Sequence, residues 1–338
     1  MFSAIYIEES VRNSERVSDL LSRFPHTPHI TIAKYGEVFN RNNQNFRLQK
    51  QKPALILANK HGRRVLETPP GYGFEDISRK RSGNGTAETK GFYFSHMLNC
   101  VYDCRYCFLQ GMYRSANYVL FTNYEDFSQD IELTLQENPA SIFYSGYDCD
   151  SLALEPISGF CDYFLGVFEK YPEAVMEIRT KSTQVRFLLE RKPLQNCVIA
   201  MSFSPESIAK QLEHKVPSIE KRLEALVRLQ QAGWPVALRF EPVIDSMHAV
   251  ENYQVLFDQI FSKVNAAQVH SASLGEYRLP TDFYKNMVKL YPDEPLLARE
   301  TIATDGMVAL KPENPEILEQ LEQLLLEHLD PGSYYRCA

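Results

Sequence analysis

From Gly91 onward, short apolar runs alternate with stretches whose apolar residues recur every three or four positions. This is the rhythm of strand–helix units on a parallel sheet. Six runs read as strands: residues 91–97, 141–146, 174–181, 197–203, 236–240 and 268–274. Between them, residues 156–170 put Ile157, Phe160, Phe164 and Phe168 on one helical face. Residues 218–232 do the same with Leu223, Leu226, Val227 and Leu229, and Gly233 supplies the stop. Six successive units predict an α/β fold, a partial (β/α)6 barrel of the TIM type with N-terminal and C-terminal extensions. Any active site then belongs at the C-terminal ends of the strands.

The flanks read differently. Before residue 91 the pattern gives a strand over 4–7, an amphipathic stretch over 17–24, a second apolar run over 54–58 and a polar loop over 79–90. After Tyr277 it gives a helix over 281–289, a hairpin turning at Asp305 and Gly306, and an acidic terminal helix begun by Asn314 and Pro315. That helix has one apolar face, made by Ile317, Leu318, Leu321, Leu324, Leu325 and Leu329. The expected division is therefore 1–90 as an N-terminal flanking region, 91–280 as the barrel and 281–338 as a C-terminal appendage.

Composition narrows the class. The 338 residues are 44% hydrophobic and 23% charged, which excludes a disordered, collagenous or coiled-coil chain. The formal net charge of −7 gives no global field to attract nucleic acid, so contact with a polynucleotide has to come from a local patch. No apolar run approaches the length that spans a bilayer, and residues 1–9 lack a basic flank before an apolar run, so a cytoplasmic protein with no membrane partner is expected. Seven cysteines are too few for a disulfide scaffold of this size, which makes their spacing decisive.

Cys100, Cys104 and Cys107 form C-x3-C-x2-C directly after the first barrel strand. Three thiolates on one short loop can ligate three irons of a cubane cluster and leave the fourth open to a ligand, whereas an electron carrier ordinarily uses four. A structural zinc site would want a fourth ligand, yet Cys149, Cys161, Cys197 and Cys337 offer no second C-x2-C. With Tyr106 before the third cysteine, the segment resembles the radical S-adenosylmethionine superfamily. The resemblance implies a [4Fe-4S] cluster whose open iron chelates S-adenosyl-L-methionine, and reductive cleavage to a 5'-deoxyadenosyl radical. It also implies an electron donor such as flavodoxin or ferredoxin.

Along almost the whole chain the sequence resembles the spore photoproduct lyase family. The resemblance rests on Ile5-Tyr6-Ile7-Glu8, Cys104-Arg105-Tyr106-Cys107-Phe108-Leu109-Gln110, Thr180-Lys181, Ser202, Ala232-Gly233-Trp234-Pro235 and Tyr277-Arg278. It implies a carbon–carbon lyase that repairs a thymine dimer in DNA. By the same likeness Lys181, Ser202, Gly146, Asp148, Glu241 and Tyr106 are expected to contact S-adenosylmethionine, and Arg278 a lesion phosphate. Arg63, Arg64, Arg79, Lys80 and Arg81 could add a phosphate-facing patch.

The departures are specific. Where the family carries a hydrogen-returning cysteine, Tyr147 stands, with Cys149 two residues on; these two, with Tyr106, are the candidates for that step. Phe108 replaces a tyrosine of the family's relay, and the hairpin tip is acidic, Ala303-Thr304-Asp305-Gly306. Two alternatives follow: a divergent radical enzyme acting on another nucleic acid or nucleobase, and a non-catalytic iron–sulfur redox sensor.

Overall fold

A computed structural model describes residues 2–69, 71–74 and 89–337. Its main sheet has eight strands among the described residues, curled into a half-barrel. The six expected strands are its centre: β5 (Gly91–Phe94), β9 (Ile142–Ser145), β10 (Val175–Thr180), β11 (Cys197–Ser202), β13 (Val236–Val243) and β14 (Val269–Glu276). They pair in parallel in that order. Two edge strands were not foreseen: β4 (Val65–Glu67) runs antiparallel to β5, and β18 (Tyr334–Cys337) runs parallel to β14.

Strand alternation sorts the side chains. Met176, Ile178, Ile199, Met201, Leu238 and Phe240 turn outward into one core with helices Phe160–Phe168, Ile219–Gln231 and Ala249–Phe261. The helix expected over 156–170 is broken at Gly159, which takes φ +60 between Glu155–Ser158 and Phe160–Phe168. Ser218 caps the next helix as its position suggests, accepting from the Lys221 amide at 3.4 Å.

The inner face is filled by a loop segment. Phe74 is fully buried among Ile142, Tyr144, Val198, Ala200 and Ala237, and its amide donates to the Tyr144 hydroxyl at 3.0 Å. A Cβ on Gly73 would stand 1.7 Å from that hydroxyl oxygen, so only glycine lets the segment enter. Beside this plug, Glu177 and Arg239 form a fully buried ion pair at 2.6 Å.

The N-terminal strands build a separate sheet of five strands, in the order β2 (His29–Ile32), β1 (Ile5–Glu8), β3 (Leu55–Ala58), β8 (Tyr118–Phe121), β6 (Met97–Leu98). Its last two strands come from within the 91–280 segment, so the expected first barrel strand ends at Phe94 and its continuation crosses to the other sheet. At the other end, β15 (Arg278–Pro280), β16 (Thr301–Thr304) and β17 (Met307–Leu310) make a small antiparallel sheet. Its turn has Asp305 at φ 50 and Gly306 at φ +78, as the Asp-Gly pair predicts.

Candidate active site

The C-terminal strand ends surround a cavity of about 680 Å³. Cys100, Cys104, Cys107, Tyr106, Gly146, Tyr147, Cys149, Lys181, Ser202, Glu241 and Arg278 all line it. These residues come from six separate stretches of chain, brought together because each lies at or beyond the C-terminal end of a strand of the half-barrel.

The cysteine loop is held from two sides. Within it β7 (Asp103–Cys104) pairs with β12 (Glu213–His214), and the Arg105 amide donates to the Leu212 carbonyl at 2.8 Å. Glu213 is buried with Arg222 in an ion pair at 2.7 Å, accepts from the Ser204 hydroxyl at 3.2 Å, and accepts from the Tyr106 hydroxyl. Arg222 in turn donates to the Ser202 carbonyl at 2.7 Å. One buried pair therefore fixes the strand bearing Cys104, the Tyr106 ring and the backbone at Ser202. On the outer side Lys50 bridges Asp103 at 2.9 Å and Gln110 at 2.7 Å. The sequence gives no local signal that Glu213 reaches the Tyr106 hydroxyl or that Lys50 reaches Asp103 and Gln110, since those partners lie far away along the chain.

Burial pushes the Cys104 thiol up to about 12, against the opposing charge of Lys181. Burial, with the Asp150 charge, raises Cys100 well above its ordinary range. Burial also raises Cys107. Such thiols hold their protons until a metal displaces them. Among the described residues no group of three or more His, Cys, Asp or Glu side chains is arranged to hold a single metal ion. A cubane cluster takes one thiolate per iron, and Cys100, Cys104 and Cys107, which line one cavity, supply that donor set.

Lys181 is positioned by its backbone: its amide donates to the buried Asp150 carboxylate at 2.6 Å, and Thr180 donates to the same group at 2.7 Å. Its ammonium stands 5.5 Å from the Tyr106 ring centroid. Asp150, absent from the sequence reading, lines the cavity, whereas Asp148 does not. The Asp148 carboxylate instead accepts from the Tyr113 hydroxyl at 3.3 Å, because the chain bends at Gly146, φ +80. Glu241 is engaged by Arg179 at 3.2 Å and by the Ser273 hydroxyl.

Tyr147 packs against Tyr93 at 4.4 Å, Tyr72 at 5.4 Å and Phe108 at 5.8 Å between ring centroids. Cys149 is 5% exposed and packs with Ile5, Leu55 and Met97 of the N-terminal core while still touching the cavity. Cys337, brought in by the unforeseen edge strand, also lines it and donates to the Tyr72 carbonyl at 3.3 Å. Arg278 is exposed at the rim, whereas Arg64 is committed to Asp126 and Asp130, each at 3.1 Å. Arg79, Lys80 and Arg81 lie outside the described residues.

A half-barrel of parallel strands with a three-cysteine loop after the first of them defines a protein of the radical S-adenosylmethionine class. A family model for spore photoproduct lyase matches residues 92–298. The chain belongs to the spore photoproduct lyase family. The spore photoproduct lyase of Bacillus subtilis (strain 168) is 22% identical over 164 residues, 48% of each chain. That of Clostridium acetobutylicum is 22% identical over 200 residues, 58% of this chain and 59% of its own. The sequence match thus spans about half the length of these curated relatives. The fold is similar over nearly its full extent to a solved spore photoproduct lyase variant with bound AdoMet and dinucleoside spore photoproduct, at TM-score 0.81 and 15% identity, covering 100% of this chain and 98% of that one. A spore photoproduct lyase complexed with dinucleoside spore photoproduct gives TM-score 0.81 and 15% identity, with 99% of both chains covered.

Proposed function

We propose that this chain is a cytoplasmic radical S-adenosylmethionine enzyme that repairs a thymine dimer lesion in DNA by carbon–carbon cleavage, using an electron donor such as flavodoxin or ferredoxin. The observation that carries the reading is the opening of the cysteine loop, Lys181, Ser202, Glu241 and Arg278 onto one cavity in a member of this family. Residues 91–280 are its radical S-adenosylmethionine partial barrel, with 1–90 and 281–338 as flanking regions that lend it the edge strands β4 and β18.

Cys100, Cys104 and Cys107 hold a [4Fe-4S] cluster in this reading. The cluster and S-adenosylmethionine, when bound, supply one-electron bond cleavage and a carbon radical able to abstract hydrogen. The chain supplies position. Lys181, its backbone tied to Asp150, presents an ammonium to carboxylate or ribose oxygens. Gly146 lets the backbone come close, Ser202 offers a hydroxyl, and Glu241 offers an acceptor oriented by Arg179. The Tyr106 ring walls the same space, its hydroxyl occupied by Glu213. Arg278 at the rim meets a phosphate of the substrate. Hydrogen return falls to Cys149 or Tyr147, since Phe108 carries no hydroxyl.

The test is anaerobic reconstitution with iron and sulfide, then dithionite, S-adenosylmethionine and an oligonucleotide bearing the spore lesion. Restored thymines and 5'-deoxyadenosine are expected, and Cys104→Ala should abolish both. An iron-loaded protein that never forms 5'-deoxyadenosine overturns the enzyme reading in favour of a redox sensor. Cosubstrate cleavage without restored thymines redirects the substrate to another nucleic acid or nucleobase.

A further inference from the structure

Two faces of the cysteine loop do different things. Cys104 and Tyr106 turn into the cavity, whereas Asp103 and Arg105, alternating with them, are absent from its lining. On that outer side four cations converge. Lys50 bridges Asp103 at 2.9 Å, and Arg105 stands 3.3 Å from the same carboxylate with its guanidinium 4.0 Å above the Tyr291 ring. The Lys215 ammonium donates to the Lys50 carbonyl at 3.2 Å, and Arg47 donates through Nε to the Leu290 carbonyl at 2.9 Å. Asp103 is shared by two of these four cations, so the four with Asp103, and with Asp293 and Glu294 just beyond Tyr291, still leave an excess of positive charge on a chain of net charge −7. Arg47 and Lys215 are exposed, and Leu48, beside Arg47, is 62% exposed and offers an apolar contact.

We propose that this outer face of the cysteine loop is the docking surface for a small acidic one-electron carrier protein. The proposal rests on the radical S-adenosylmethionine reading and names where its electron enters. A reductant seated there lies on the opposite side of the cysteine loop from the cavity, across the Lys50 and Arg105 side chains that pack on Asp103, and it leaves the rim at Arg278 free for substrate, so both can bind at once. Complementary charge speeds encounter and fixes orientation, and small, salt-sensitive interfaces are characteristic of electron-transfer pairs. Nucleic acid would also be drawn to positive charge, but its reacting base has to enter the cavity from the other side of this loop.

The experiment uses purified flavodoxin and the charge-reversed double variant Arg47→Glu, Lys215→Glu. Neither residue belongs to the cavity lining. Titration calorimetry of flavodoxin into the anaerobically reconstituted protein should show binding that weakens with salt, and the variant should lose affinity by at least about tenfold. In the reconstituted enzyme, flavodoxin-driven formation of 5'-deoxyadenosine should fall in parallel while dithionite-driven formation stays unchanged. Unaltered flavodoxin affinity in a folded variant overturns the proposal. So does loss of affinity for duplex DNA with flavodoxin binding intact, which would assign the face to nucleic acid. If dithionite-driven chemistry is absent from the unmodified protein, the enzyme reading fails, and the binding measurement still decides the surface. The neutral pair Arg47→Gln, Lys215→Gln gives a smaller loss in the same direction if charge reversal impairs folding.

Discussion

Arg222→Ala should be among the most damaging single changes outside the cavity. Arg222 and Glu213 are each 1% exposed and 2.7 Å apart, and the guanidinium also satisfies the Ser202 carbonyl. Burial pushes the Glu213 carboxyl up, but the charges of Lys181 and Arg222 outweigh it and hold the group ionised below its ordinary range. Removing the arginine leaves a buried carboxylate short of its ion-pair partner, which costs about 3–5 kcal/mol. With a urea m-value of about 3 kcal/mol/M, the midpoint moves down by roughly 1–1.7 M. Because Glu213 pairs with Cys104 across two strands, the variant should also take up less iron per chain on reconstitution. The assay is urea unfolding of the apoprotein by circular dichroism, followed by iron analysis after reconstitution. The double variant Arg222→Met, Glu213→Gln removes both charges and should recover much of the loss. A midpoint within about 0.3 M of the unmodified protein for Arg222→Ala, well under that loss, would refute the account, as would a double variant no better than the single one.

Three further outcomes are expected. Burial holds His96 down to about 3, and its ring stacks on Phe160 at 4.1 Å. The unfolded chain therefore binds the proton first, stability declines as pH falls below about 6.5, and His96→Phe should flatten that acid limb in pH-dependent melting. A Cβ on Gly111 would stand 2.0 Å from the carbonyl oxygen of Phe283 in the helix Thr281–Leu290, and the Phe283 ring stacks at 6.4 Å on Phe108, beside Cys107, so Gly111→Ala should cost about 1–3 kcal/mol and lower iron loading by displacing that helix. Cys149→Ala should leave cosubstrate cleavage intact and divert product quenching to adducts or solvent hydrogen, read by mass spectrometry in deuterated buffer; an unchanged product profile assigns the step elsewhere.

Much of the scaffold was legible because its signals are local. Strand periodicity found all six central strands within a few residues of their observed bounds, and the Asp305-Gly306 pair announced its turn. The cysteine spacing was legible for the same reason, since three ligands within eight residues need no distant partner to be noticed. The edge strand β18 was missed because Tyr334–Cys337 has no lengthy apolar pattern and is a strand only by pairing with β14. The Tyr72–Phe74 plug was missed because Pro and Gly there read as loop, and nothing local says that the half-barrel has a lumen to fill. Asp150 was missed because a strand end in sequence does not reveal how the chain bends at Gly146.

By itself the sequence determined the repeating strand–helix units and the three-thiol loop, both written in spacings shorter than a helix. Tertiary structure alone decided which buried charges support that loop and which side chains share its cavity. Glu213, Lys50 and Cys337 meet Tyr106, Asp103 and Tyr72, partners tens to hundreds of residues away along the chain. An ion pair or a cavity wall is a property of closed space, and the chain encloses space only once its distant strands have met.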